Sequence, residues 1–121
     1  SEIDIFMAET ARPAIEAVSD EMRESGFDPK IGQTADCVEI TVPHGERGAF
    51  RYTVRSRPFR LPSFVWVEPR MGAEAEPRHY RAMAHTSEGE TPHDVTGFSR
   101  DQLINDLLNR YARFRHSRRI G

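Results

Sequence analysis

Val38, Ile40 and Val42 alternate with Glu39 and Thr41, and a little further on Phe50, Tyr52 and Val54 alternate with Arg51, Thr53 and Arg55. A period of two places one set of side chains on each side of an extended strand. Between the runs lies Pro43-His44-Gly45-Glu46-Arg47-Gly48, a connection with two glycines able to take positive φ. The pattern predicts an antiparallel hairpin, apolar sides together and arginines outward. A sheet with one apolar face must have that face covered, and this requirement governs the rest of the chain.

Two segments have the period to cover it. In the first 26 residues Ile3, Met7, Ala11, Ile15, Val18 and Met22 recur at helical spacing, with acids on the other side. Pro13 interrupts, since a proline inside a helix removes a hydrogen bond and crowds the preceding turn. A start at Thr10, its hydroxyl as cap and Pro13 in the first turn, resolves this. Residues 3–9 are then a separate turn or a kinked extension. Gly26 stops the helix, and Asp28-Pro29 prevents re-entry. Near the other end, Ser99 followed by Gln102 is a capping-box pattern. Leu103, Ile104, Leu107, Leu108, Tyr111 and Phe114 then predict a helix from about Ser99 to Arg115.

Phe64-Val65-Trp66-Val67 is a short β-prone run, and Tyr80 to His85 reads as a further strand. Pro58 and Pro62 bracket an irregular connection, and residues 69–78 and 87–91 are polar loops. The predicted class is α+β: an antiparallel sheet of about four strands, with an N-terminal and a C-terminal helix packed on one face. The 121 residues suit one domain spanning 1–121. Cys37 is the only cysteine and sits in a strand pattern, which makes it structural and the compartment reducing. No stretch approaches the ~20 apolar residues of a membrane span.

Catalytic signatures are missing. His44, His79, His85, His93 and His116 show no compact metal-ligand spacing. No nucleophile elbow, Ser-x-x-Lys or phosphate-binding glycine loop occurs. The chain reads as a non-enzyme without metal or cofactor. A formal net charge of -2 offers nothing to nucleic acid.

The arginines are the distinctive residues. Of 17 basic side chains only Lys30 is a lysine. Arg110, Arg113, Arg115, Arg118 and Arg119 crowd the last dozen positions, with no acid after Asp106. Two readings stand equal for this cluster: contact with anionic lipid headgroups or an acidic partner, and a solvated face. Arg51, Arg55 and Arg57 share one face of the hairpin and are read as solvated and neutralised by neighbouring acids. A separate possibility is an aromatic cage for a quaternary ammonium built from Trp66, Tyr52 and Tyr80, against the reading of these rings as core.

Residues 94–111, Asp-Val-Thr-Gly-Phe-Ser-Arg-Asp-Gln-Leu-Ile-Asn-Asp-Leu-Leu-Asn-Arg-Tyr, resemble the closing segment of BetT-type choline transporters of the betaine/choline/carnitine transporter family. Arg12-Pro13-Ala14 before an acidic helix and Pro62-Ser63-Phe64 before a strand agree in order. The basic end, Arg115 and Ser117-Arg118-Arg119, departs from the mostly apolar family ending. The resemblance implies a fragment of a larger membrane transporter: a C-terminal regulatory domain on the cytoplasmic face that adjusts choline or glycine betaine uptake to osmotic stress. The transport residues then lie outside this chain. Its implied partners are the membrane portion of the same transporter, anionic lipid headgroups and further copies of itself.

Overall fold

The expected hairpin is present and sets the register of everything around it. In a computed structural model that describes residues 2–59 and 79–120, β2 (Cys37–Pro43) pairs antiparallel with β3 (Ala49–Phe59). Val38 lies opposite Val54, Ile40 opposite Tyr52 and Val42 opposite Phe50, so all six apolar side chains share one face. The connection is a 3-10 turn, Gly45–Arg47, and both its glycines have positive φ.

Among the described residues five strands lie in the order β1-β2-β3-β4-β5, one more than expected. β1 (Lys30–Thr34) is an exposed edge strand, β4 (His79–Thr86) covers the expected Tyr80–His85, and β5 (His93–Asp94) is two residues long. The Phe64–Val67 run lies outside the described residues. β3 continues through Pro58, where an irregular connection was expected. The Ser56 amide points to the β2 side and donates to the Asp36 carbonyl, so the amide-less Pro58, two residues on, faces an edge that β2 has already left.

The covering layer comes from both ends. α1 (Glu2–Phe6), a π-helical turn (Met7–Ala11) and α2 (Arg12–Glu24) form one run, and α3 (Arg100–Ser117) is the second helix. The start at Thr10 is thus corrected: no side chain caps α2, and the helical run begins at Glu2. The Arg12 amide reaches back five residues to the Met7 carbonyl. This wider turn accommodates the Pro13 ring, which would crowd a tighter one. Gly26 ends α2 at φ +93, with Phe27 and Gly26 donating to the Met22 and Arg23 carbonyls in a Schellman arrangement.

Ile15, Val18 and Met22 of α2 and Leu103, Leu107 and Phe114 of α3 bury against the sheet's apolar face. The opposite face of the sheet carries Arg51, Thr53, Arg55, Arg57 and Phe59 on β3, and Arg81, Met83 and His85 on β4. Cys37 also lies there, half-buried opposite Arg55, and burial pushes its thiol up against the pull of that arginine.

Candidate functional site

Charged chemistry concentrates along α3, and the helix is held there by its own ends. The Ser99 hydroxyl accepts from the Gln102 amide at 3.1 Å while the Gln102 side chain accepts from the Ser99 amide at 2.8 Å, completing the expected capping box. At the other end Arg47 donates to the carbonyls of Arg118 and Arg119, satisfying acceptors the helix leaves open.

Asp106 is the hub of this surface. It accepts the Tyr52 hydroxyl at 2.5 Å, lies 2.7 Å from His93 Nε2, and accepts Arg110 Nε at 3.1 Å. Burial works to raise its carboxyl, but these three partners outweigh it and hold the group below its ordinary value. Tyr52 is pushed far above its ordinary value by burial and then by the Asp106 carboxylate. Arg110 spans from Asp106 to Glu90, which it meets at 2.7 Å, and Thr86 donates to the same Glu90 oxygen at 3.0 Å. Burial opposes ionisation at Arg110, yet the two carboxylates raise its value on balance. A histidine, a tyrosine and a carboxylate are the raw material of acid–base catalysis. Here the carboxylate is engaged by three groups of its own domain, and the arrangement fastens α3 to β3 and β5. Among the described residues no three His, Cys or acid side chains converge as a metal requires.

The five C-terminal arginines do not form one free patch. Arg110 is paired twice, as above, with a side chain only 18% exposed. Arg118 reaches Glu88 at 3.1 Å and lies 5.0 Å over the Phe114 ring. Arg115 lies over Phe27 and Tyr111 at 5.9 and 5.7 Å. Arg113 is 73% exposed and reaches Glu90 only at 3.9 Å. Arg119 is exposed, with φ at 56°. Local sequence shows no acid beyond Asp106, and it cannot show that the β4–β5 connection brings Glu88 and Glu90 to the helix. Only the Asp106–Arg110 spacing of four was legible, as a helical ion pair.

The hairpin arginines behave in the opposite way. Arg51 meets Glu39 at 3.7 Å, as expected of a neutralised face. Arg55 and Arg57 have no carboxylate partner among the described residues. Burial, then the charges of Arg55 and Arg57, push the neighbouring His85 imidazole down.

The aromatic cage is not assembled from its described members. Tyr52 is fully buried and lies opposite Thr86, whereas Tyr80 is 43% exposed and lies opposite Pro58, six residues further along β3. At ~3.3 Å per residue that is about 20 Å of strand. Trp66 lies outside the described residues. The aromatic cluster that does form joins Phe27, His44, Phe50, Tyr111 and Phe114, beside a groove of about 490 Å³ between α2 and α3. There Tyr111 and His44 Nε2 are 2.8 Å apart, and burial, then Arg115, lower the His44 imidazole.

The described residues form a sheet with two helices on one face, and no helix among them is long and apolar enough to cross a membrane. Over nearly its whole length the chain is similar to segments of bacterial proteins that move choline and glycine betaine. It is 28% identical over 112 residues, 93% of the chain, to a glycine betaine transporter of Acinetobacter baylyi. The value is 28% over 115 residues, 89% of the chain, for a high-affinity choline transport protein of Escherichia coli. An osmo-dependent choline transporter of A. baylyi is 27% identical over 126 aligned positions, 96% of the chain. These matches uphold the resemblance to BetT-type choline transporters. The chain spans only 16% to 18% of the length of these relatives. No protein-family model matches it.

Proposed function

We propose that this chain is a non-catalytic regulatory domain at the C-terminus of a choline or glycine betaine transporter, on the cytoplasmic face of the cell membrane. In this reading it modulates uptake in response to osmotic stress. The observation that carries it is the match of 89% to 96% of this chain to a sixth or so of proteins named for choline and glycine betaine transport. A segment with a core of its own that matches so small a share of those transporters supports an accessory role better than transport itself. One of those relatives is named osmo-dependent.

Regulation requires a contact that differs between transporter states. The partner in this reading is the membrane portion of the same transporter, and further copies of the chain are a second source of such contacts. On α3, Arg113 and Arg119 are the members of the arginine cluster best placed to make it, because Arg110 and Arg118 are engaged by Glu90 and Glu88. Rising cytosolic salt shortens the Debye length and weakens contacts of this kind, which gives a physical route from osmotic state to activity.

The test is choline uptake across a range of external osmolality, for the full-length transporter and for one ending before this segment. The expected result is retained uptake with a flattened osmotic response. Overlaying curves would remove the regulatory reading.

A further inference from the structure

We infer that the connection from β4 to β5, residues 87–92, is an ionic-strength-sensitive clasp: Glu88 and Glu90 hold the arginines of α3 at low salt and release them as salt rises. The inference deepens the proposed function, on which it rests for its purpose, by naming the part of the domain that responds.

The connection reads Ser-Glu-Gly-Glu-Thr-Pro and has little but charge to fasten it. It carries no large apolar side chain, and all six residues are exposed. Its start is pinned, since the Ser87 amide and hydroxyl donate to the Arg51 and Ala49 carbonyls of β3. Beyond Ser87 the ties run to arginines and to Thr86. Glu88 takes Arg118 on both carboxylate oxygens, at 3.4 and 3.1 Å. Glu90 takes Arg110 at 2.7 Å and lies 3.9 Å from Arg113, with the Thr86 hydroxyl donating to it at 3.0 Å. Gly89, at φ +79, turns the chain between the two acids, and both reach the helix.

Magnitudes decide which contacts yield. Exposed ion pairs contribute little each, and they weaken as the Debye length shortens from ~10 Å at about 0.1 M salt to ~3 Å at about 1 M. The Arg118 side chain is 42% exposed and Arg113 more so, whereas Arg110 is largely buried and also held by Asp106. A cavity of about 160 Å³ between the connection and α3, lined by the two acids with Arg110 and Arg113, has room for several waters and small ions. The connection therefore loosens from the Arg118 end. Apolar burial is not screened, so Leu107 and Phe114 stay packed on the sheet. The end of α3 stays as well, because Arg47 grips its last carbonyls and Ile120 packs against the core. Weak ties over a firm base make a local two-state element whose balance follows ionic strength, which is what regulation requires.

The test is NMR relaxation of the backbone amides of the 121-residue chain in about 0.1 M KCl, in about 1 M KCl, and in sorbitol matched in osmolality to the second. Order parameters of the Glu88–Thr91 amides are expected to fall from about 0.85 to below about 0.6 in high KCl and to hold in sorbitol, while the β2–β3 ladder stays rigid throughout. Glu88→Gln with Glu90→Gln should be loose already at low salt and indifferent to KCl. Arg118→Lys keeps the charge but loses the paired geometry, so it should be intermediate at low salt and still respond to KCl. Order unchanged by KCl, equal loosening in sorbitol, a KCl response that persists in the double glutamine variant, or loosening of the β2–β3 ladder to the same extent would each overturn the inference. None of these readings involves uptake, so failure here is separable from failure of the regulatory reading.

Discussion

Asp106 of α3 and Tyr52 of β3 meet through a 2.5 Å hydrogen bond between the carboxylate and the phenol, 54 residues apart in the chain. Tyr52 is fully buried, so its hydroxyl requires a partner inside the protein. Asp106 in turn is engaged by His93 and Arg110. One carboxylate therefore joins the helix to a central strand and to the edge strand.

Asp106→Ala is expected to destabilise the chain by about 3 kcal/mol, because it leaves a buried phenol without its acceptor and a largely buried guanidinium with Glu90 alone. Tyr52→Phe removes only the hydroxyl and should cost about 1 kcal/mol. Urea denaturation of the two single variants and the double variant measures their coupling. Strictly additive losses would mean that the two groups do not act as a pair.

The same groups set the acid limb of stability. Glu90, Asp94 and Asp106 are all held below their ordinary values of 4.5, 3.8 and 3.8, in each case because hydrogen bonds and ion pairs outweigh burial. A carboxyl with a lowered value in the fold takes up its proton first in the unfolded chain. Its contribution is therefore complete above the ordinary value and is lost as pH falls through the folded one. Melting temperature should decline gently below about pH 6.5, where the unfolded chain takes up protons that His44 and His85 resist in the fold, and fall more steeply below about pH 4.5. Asp106→Asn should start from a lower melting temperature and show a shallower acid decline. An identical acid limb would show that Asp106 does not contribute to it.

How much of this was legible follows from the range of each interaction. The hairpin and its register could be read because alternation over Val38–Val42 and Phe50–Val54 is local and strict. The last helix could be read because Ser99, Gln102 and the Leu103–Phe114 spacing lie within a few turns of one another. β1 could not: Ile31 is its only large apolar residue, and pairing with β2 on one side defines it. Nor could the π turn, since Pro13 signals a break without saying how the chain absorbs it. The site was least legible. Composition placed five arginines at the end of the chain, but their fate depends on Glu88 and Glu90, up to 30 residues away. Nor could the separation of Tyr52 and Tyr80, about 20 Å of strand, be read, because residue type says nothing of distance along a strand.

The capping box gives a local test of α3. Ser99→Ala should cost about 1 kcal/mol, since the Gln102 amide loses its acceptor at the helix start. Ser99→Asp should retain most of the stability, as its carboxylate also accepts at that position and is favoured by the helix dipole. Thermal or urea unfolding separates these outcomes. Equal losses in both variants would place the stabilisation in the Gln102 side chain rather than in the residue-99 acceptor.

Arg57 opposite Arg81 predicts a gain rather than a loss. Arg57→Gln removes a like-charge pair across the ladder and should raise stability by about 0.5 kcal/mol at low salt. The gain should shrink as salt rises, because both groups are exposed and their repulsion is screened. Asp94 limits its size, since it already offsets part of the Arg81 charge. Urea unfolding at two salt concentrations measures both the sign and the screening. A loss of stability at low salt would mean that Arg57 makes a favourable contact within the domain.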